Sequence, residues 1–99
     1  MARSSALTSQ QIETALRDLP EWSLRDGALH RSLKFPDFVS AFGFMSSMAL
    51  VSEALNHHPE WSNVYGRLEI ALNTHDAGGI TELDLQWARR AEALLRGTR

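Results

Sequence analysis

The sequence predicts an α+β domain in the order αββαββα, with a four-stranded antiparallel sheet and three helices packed on one face. Two segments contain tight-turn patterns, at Asp26-Gly27 and at Gly66-Arg67, between runs of strand-forming residues, as is typical of β-hairpins. Three other segments repeat apolar residues at helical spacing. Helices packed on one face of an antiparallel sheet bury the apolar sides of both. No linker or low-complexity stretch interrupts the pattern, so we expect residues 1–99 to form one domain.

The first predicted elements are a short helix and a hairpin. Thr8 and Gln11 form a capping-box pattern, which predicts a helix over residues 9–16. Residues 22–24 and 28–35 then follow as two strands joined by a tight turn. Together these elements account for the first αββ of the predicted order.

The longest predicted helix spans residues 37–56 and begins at Asp37, directly after a proline. Residues 38–51 carry no charge, and apolar side chains occupy more than one helical face. Phe38, Phe42, Met45 and Ala49 form one stripe, whereas Phe44, Val51 and Leu55 lie off it. Two interpretations are open: a thoroughly buried core helix, or a core helix that also forms a subunit interface. We favour the interface, because one small domain has little else to cover a second apolar face.

The second half of the chain predicts another hairpin and a third helix. Residues 62–65 and 68–74 read as strands, and the second of them alternates apolar with mostly polar residues. Thr81 is a favourable N-cap, Asp84 falls at the third helical position, and the apolar stripe that follows ends near Gly97. This completes the order αββαββα.

The second hairpin is predicted to bring distant histidines together. If Gly66-Arg67 is a two-residue loop, Tyr65 faces Leu68. The same register, extended backwards, places His58 opposite His75, and directly opposed residues have Cα atoms about 4.5–5.5 Å apart. We therefore expect the histidines to converge at the open end of this hairpin, even if the pairing slips by a residue.

Composition excludes several classes of protein. The formal net charge is −2 and the only concentration of positive charge lies near the C-terminus, so we expect no direct nucleic-acid binding. The absence of cysteine excludes a disulfide scaffold, thiol catalysis and a thiolate metal site. Residues 1–11 contain no apolar run of signal-peptide length, and no uninterrupted run of about 18 apolar residues occurs. We expect a soluble cytoplasmic protein without membrane association.

The stretch from Glu53 to Asp84 holds three of the four histidines and is the predicted active site. Glu53 and His57 are four residues apart, so on a helix they share a face and can pair. The carboxylate and the helix C-terminus then favour a protonated ring, as a general acid requires. His58 lies beyond the helix end and suits substrate orientation or a second proton transfer. His75 arrives from the opposite strand, where Asp84 could orient it.

Metal-binding and purely structural alternatives remain. Three imidazoles and a carboxylate could bind zinc, but the chain has no HExxH pattern, and adjacent histidines before a proline rarely both reach one metal. We therefore predict no metal site. Glu53 could be a solvated helix residue and Asp84 only a cap, and we assign isolated His30 to the surface. Trp61 and Tyr65 are expected in the core or in a pocket wall.

The polar pattern resembles the signature of the pterin-4a-carbinolamine dehydratase family. The matching residues are Glu53-x3-His57-His58-Pro59-x5-Tyr65-x9-His75-x8-Asp84. The resemblance also covers residues 35–38, 41–45, 57–65 and 74–76. It leaves only the extreme termini of the chain outside.

This resemblance implies a cofactor-free dehydration of 4a-hydroxytetrahydrobiopterin, or a related reduced pterin, to the quinonoid dihydropterin. The product is recycled to aromatic amino acid hydroxylases, which makes phenylalanine hydroxylase an implied partner. The family's αββαββα protomers associate into dimers or tetramers, so a homodimer or homotetramer is implied. His57 and His75 would be the acid–base pair, and His58 would chiefly bind and orient the pterin. The implied supporting and substrate-binding residues are Glu53, Pro59, Trp61, Thr74 and Asp84.

A second function class is implied by the same resemblance. A family member in animals also acts as a dimerisation cofactor for a homeodomain transcription factor, using the apolar helix. The apolar residues of the helix over residues 37–56 permit such a protein-interaction role here. Partner binding of this kind would survive the loss of all three histidines, whereas dehydration would not.

Overall fold

The computed structural model describes residues 5–97 and has the predicted element order. Residues 1–4 and 98–99 of the predicted domain lie outside the described residues. The elements are α1 (Ser9–Leu16), β1 (Ser23–Arg25), β2 (Ala28–Lys34), α2 (Phe38–Leu55), β3 (Glu60–Val64), β4 (Arg67–Leu72), a short 3-10 helix (His75–Ala77) and α3 (Glu82–Gly97). The α+β class and the order αββαββα are confirmed.

The helix starts follow from local capping. In α1, the Thr8 side chain accepts the Gln11 N–H while the Gln11 side chain accepts the Thr8 N–H, so the predicted capping box is present. In α2, the backbone N–H of Ser40 donates to Asp37 Oδ1 at 2.8 Å. Hydrogen bonds from the Ser40 backbone and side chain lower the pKa of the Asp37 carboxyl. Both caps could be predicted because they depend on residues only three positions apart.

The four strands form one antiparallel sheet in the order β1-β2-β4-β3. One face is buried by helices, and its apolar residues join the core with residues of all three helices. The strand residues at the centre of this core are Leu29, Leu68, Ile70 and Leu72. The opposite face carries exposed residues such as Ser32 and Glu69. This one-sided burial is the pattern expected of an antiparallel sheet with one solvated face.

Helix α2 buries one stripe and exposes another. Ala41, Phe44, Met48 and Ser52 are buried against the rest of the chain. The predicted stripe through Phe38 and Phe42 instead points largely outward. By length and composition α2 is apolar enough to cross a membrane, but its buried stripe belongs to the protein core. Only 22% of this helix is buried, and a single helix of this kind is weak evidence for a membrane span.

The predicted loop of the second hairpin is wrong by one position. Val64 pairs with Arg67, so the two loop residues are Tyr65 and Gly66. Tyr65 takes a positive φ of 55°, and the Phe35 N–H donates to the Gly66 carbonyl at 2.7 Å. A Cβ on Gly66 would lie 2.4 Å from the Phe35 carbonyl oxygen, so this glycine permits a close approach between neighbouring strands. The packing of Phe35 against the turn, which hairpin rules do not include, sets the register.

Candidate functional site

A cleft at the open end of the β3–β4 hairpin brings the three predicted histidines together. It has a volume of about 310 Å³ and is lined by His57, His58, Asn73, Thr74, His75 and Asp76. The C-terminus of α2 supplies the first two histidines, and the end of β4 leads into the third. Continuing the observed register places His58 beside Asn73 instead of His75, because the loop is shifted. The predicted convergence nevertheless holds.

The chain reversal just after α2 directs the side chains of His57 and His58 to different surroundings. Asn56 adopts the left-handed conformation, with φ 51° and ψ 45°, and its N–H donates to the carbonyls of Glu53 and Ser52. The His57 N–H then donates to the Ser52 carbonyl at 3.0 Å. The chain reverses at this cap. As a result His57 is 4% exposed, whereas the His58 side chain is 54% exposed.

Asn56→Ala is expected to lower the free energy of unfolding by about 1 kcal/mol, because alanine is strained in the left-handed region. Asn56→Gly is the matched control, and it is expected to be neutral or stabilising because glycine accepts this conformation without strain. Urea unfolding of the three proteins measures the difference. Equal stability of the Ala and Gly variants would contradict a structural role for the left-handed cap.

His57 forms a buried pair with Asp84. His57 Nε2 lies 2.5 Å from Asp84 Oδ1, and Asp84 is completely buried. Asp84 Oδ2 accepts the Thr74 hydroxyl at 2.8 Å and the Thr81 N–H at 2.9 Å. Because Asp84 accepts from each of these partners, the neutral His57 ring carries its proton on Nε2 and donates it to the carboxylate. Nδ1 is then the His57 nitrogen that can exchange a proton with a substrate.

The other two histidines pair with carboxylates at the surface. His58 Nε2 lies 2.7 Å from Glu53 Oε2, and His75 Nε2 lies 3.7 Å from Glu60 Oε2. The His75 side chain is 78% exposed and its partner 77% exposed, so this pair is open to solvent. Exposed pairs of this kind contribute little to stability. Each of the three cleft histidines therefore has a carboxylate partner, but only the His57 pair is shielded from water.

Two predicted pairings are wrong. Glu53 pairs with His58 instead of His57, because α2 ends at Leu55 and the reversal after it carries His57 away from the helical i, i+4 position. Asp84 pairs with His57 instead of His75, because the first turn of α3 packs behind the end of α2. Neither correction removes a predicted residue from the site region.

The aromatic residues of the motif lie outside the cleft lining. Trp61 packs edge-on against Trp87, with ring centroids 6.0 Å apart, and contacts the core. Tyr65 is 68% exposed at the far turn of the hairpin, so it lies outside the core. It lines a separate pocket beside Phe35 and Pro36, so its predicted place in a pocket wall is confirmed, although that pocket is not the histidine cleft. Pro59, between His58 and the start of β3, sets the exit of the chain from the helix end.

Three residues near the cleft were not predicted as site residues. Asn73 and Asp76 line it, and the Asn73 Nδ2 donates to the Gly27 carbonyl at 2.7 Å, which ties the first hairpin turn to the cleft edge. Thr81 was predicted only as a cap, yet its hydroxyl lies 2.8 Å from that of Thr74. The sequence patterns that point to Asp76 are its position next to His75 and its place in the segment 74–76 covered by the family resemblance. Nothing local in the sequence relates Asn73 to Gly27.

Metal-ligating side chains do not cluster at this site in the described part of the chain. Within residues 5–97, no three or more His, Cys, Asp or Glu side chains lie where they could jointly hold a metal ion. The cleft histidines instead face separate carboxylates. The arrangement places one buried imidazole and two solvent-accessible imidazoles on the same cleft, which suits proton exchange with a molecule bound there.

Comparison with known proteins identifies the family. A family model described as pterin 4 alpha carbinolamine dehydratase matches residues 5–94. A Solibacter usitatus protein named after this dehydratase is 53% identical over 94 residues, which cover 95% of this chain and 99% of the relative. A similarly named Rhizobium etli protein is 49% identical over 92 residues, covering 91% of each chain.

A solved structure agrees with these matches. The crystal structure of a transcriptional coactivator/pterin dehydratase from Brucella melitensis superposes with a TM-score of 0.88 at 47% identity. The superposition covers 91% of this chain and 98% of that one. Sequence and fold agree over nearly the whole chain, and the protein belongs to the pterin-4a-carbinolamine dehydratase family.

Proposed function

We propose that this protein dehydrates 4a-hydroxytetrahydrobiopterin, or a related 4a-hydroxytetrahydropterin, to the quinonoid dihydropterin by histidine acid–base catalysis. Family membership supports the general dehydratase activity. The observation that supports the mechanism is the convergence of His57, His58 and His75 on one cleft, from the ends of two different elements. The product would be returned to aromatic amino acid hydroxylases such as phenylalanine hydroxylase.

The proposed reaction needs one acid and one base. The lone pair of a ring nitrogen expels the 4a-hydroxyl, the carbon–oxygen bond breaks, and a general acid protonates the departing hydroxyl to give water. A general base removes a proton from ring nitrogen, so the net loss is one water molecule. Imidazoles suit both tasks, because their ordinary pKa lies near neutral pH.

The surroundings of the histidines support a division of roles. His57 is held in one orientation by Asp84, so its Nδ1 can act at a fixed point of the cleft. His75 approaches from the end of β4 and is open to solvent, which suits exchange of protons with water. We assign His57 and His75 as the acid–base pair. His58, supported by Glu53, is assigned to binding and orienting the pterin ring.

The proposal predicts rapid turnover that is insensitive to chelators. The wild-type protein is mixed with freshly generated 4a-hydroxytetrahydropterin, and the ultraviolet change is followed with and without a chelator. His30→Ala is the control for removing a histidine outside the cleft, because His30 lies in the first hairpin and its ring bonds the Arg25 carbonyl. Its rate is expected to equal that of the wild type. No acceleration by folded wild-type protein would overturn the proposed activity, and loss of activity with chelator would overturn the metal-free mechanism.

A second proposed function is protein interaction through α2. Phe38, Val39, Phe42 and Leu50 are 47%, 78%, 53% and 73% exposed, so the helix presents an unusually apolar surface. The similar Brucella melitensis protein is described as a transcriptional coactivator as well as a pterin dehydratase. We propose that this surface forms a homodimer or homotetramer, and that it could also receive a protein partner.

Phe42→Ser is expected to raise the dissociation constant of the self-association about tenfold or more, because aromatic residues at interface centres contribute most of the binding energy. Leu24→Ser is the matched control, since Leu24 is 45% exposed on β1 and lies on a different element. Sedimentation over a concentration series measures both. A monomeric wild type, or equal dissociation constants for Phe42→Ser and wild type, would contradict the proposed interface.

A further inference from the structure

Thr81 has a buried hydroxyl in the network behind His57. It lies just before α3, is completely buried, and its Oγ1 accepts the Leu83 N–H at 3.2 Å, as a helix cap would. The same oxygen lies 2.8 Å from the Thr74 Oγ1. Capping uses only a lone pair of the Thr81 oxygen as acceptor, so the hydroxyl proton of Thr81 can be donated to another group.

Counting donors gives this network one direction. Each threonine hydroxyl has one proton, and that of Thr74 is donated to Asp84 Oδ2 at 2.8 Å. The Thr74 oxygen can therefore only accept from Thr81, which donates to it. The reverse direction would leave the Thr81 proton without an acceptor, since its other close partner is the Leu83 N–H. The chain thus runs from Thr81 to Thr74 to Asp84.

This chain determines which Asp84 oxygen is available to His57. Oδ2 is occupied by the Thr74 hydroxyl and by the Thr81 N–H, so Oδ1 faces the His57 ring. Thr74, Thr81 and Asp84 are each at most 2% exposed, so water does not compete for these bonds. Among the described residues, no buried side-chain nitrogen or oxygen lacks a partner. Rotation of the Asp84 carboxylate would break its hydrogen bonds with His57, Thr74 and Thr81, so these bonds hold it in one orientation.

We propose that Thr81 is a positioning residue for dehydration: its hydroxyl orients Thr74, which holds the Asp84 carboxylate and thereby the His57 ring. This inference deepens the proposed function and rests on it for its kinetic part. Thr81 does not itself line the cleft, and its hydroxyl contacts the lining residue Thr74 and not His57. It therefore acts on the His57 ring through Thr74 and Asp84. The effect is therefore expected in the chemical step and not in substrate binding.

The test compares Thr81→Val with Thr81→Ser. Valine has the shape of threonine without the hydroxyl, and we expect kcat to fall about five- to tenfold with KM nearly unchanged. Serine keeps the hydroxyl and is expected to restore most of kcat. In proton NMR, the His57 Nε2–H signal should be sharp and slowly exchanging in the wild type and in Thr81→Ser, and broadened in Thr81→Val.

Thr8→Val is the matched control, because it removes the cap of α1 without touching this network. It should leave kcat and the His57 signal unchanged, which separates positioning from simple loss of a cap. If Thr81→Val keeps the wild-type kcat and His57 signal, Thr81 is only a helix cap and the inference is wrong. If the wild type is inactive, the proposed function fails, while the NMR comparison still decides whether Thr81 positions His57.

Discussion

Replacing His75 with alanine is expected to lower kcat for dehydration by about 10²–10⁴-fold, the usual contribution of a general acid or base. The free energy of unfolding should change by no more than about 0.5 kcal/mol, because the His75 side chain is 78% exposed. Its pairing with Glu60, at 3.7 Å and open to solvent, adds little to stability. An activity loss in this variant would therefore report on chemistry alone.

Stopped-flow dehydration and urea unfolding of the same preparations measure these two effects. His30→Ala serves as the control for removing an imidazole from the sheet outside the cleft. His75→Gln is also informative, since it keeps polarity but cannot exchange a proton near neutral pH. A wild-type rate in His75→Ala would remove this residue from the proposed acid–base pair.

Asp84→Asn is expected to reduce kcat to a similar extent, by about 10²–10⁴-fold, through the protonation of His57. The Thr81 N–H and the Thr74 hydroxyl both donate to Oδ2, so the amide oxygen of asparagine must face them. The amide NH₂ then faces His57 Nε2, which must accept. The neutral ring would carry its proton on Nδ1, the reverse of the wild-type arrangement.

Nitrogen NMR of the His57 ring distinguishes the two tautomers directly, and stopped-flow dehydration gives the rate. Glu82→Gln is the matched control: it changes a carboxylate to an amide in the same helix, but its partner is Arg89 in an exposed pair at 2.9 Å. It should leave the rate and the His57 signals as in the wild type. Retention of the Nε2–H tautomer in Asp84→Asn would contradict the assigned direction of the network.

Because the His57–Asp84 pair is buried, a substitution in it can lower the free energy of unfolding as well as the dehydration rate. Removing one partner of a buried pair typically costs about 3–5 kcal/mol, because the other is left without compensation. Loss of activity in His57→Ala is therefore ambiguous, whereas the nearly isosteric Asp84→Asn and the exposed His75→Ala are not. The two histidines of the proposed acid–base pair differ in this respect because only one lies inside the fold.

Much of the architecture could be predicted because it depends on local patterns. The α1 boundaries, the caps at Thr8 and Asp37, and the order of hairpins and helices follow from residues a few positions apart. The convergence of the histidines also followed, because any antiparallel hairpin in this part of the chain brings its two ends together. A one-position error in the loop moved His58 from beside His75 to beside Asn73 without separating the histidines.

The partners of the histidines could not be predicted in the same way. Helical spacing predicted that Glu53 pairs with His57. The helix instead ends before His57, at the left-handed Asn56, and the Glu53 carboxylate pairs with His58. Asp84 reached His57 only because α3 packs behind the end of α2. The close approach of Phe35 to Gly66, which shifted the hairpin loop, is likewise a contact between distant segments.

The sequence by itself determined the element order, the family and the set of polar residues gathered at one end of the sheet. Only the tertiary structure decided that His57 is buried on Asp84, that His58 and His75 remain at the surface, and that Thr81 joins the network. The physical reason is that caps and periodicity act over a few residues, whereas burial and hydrogen-bond partners depend on how separate elements pack.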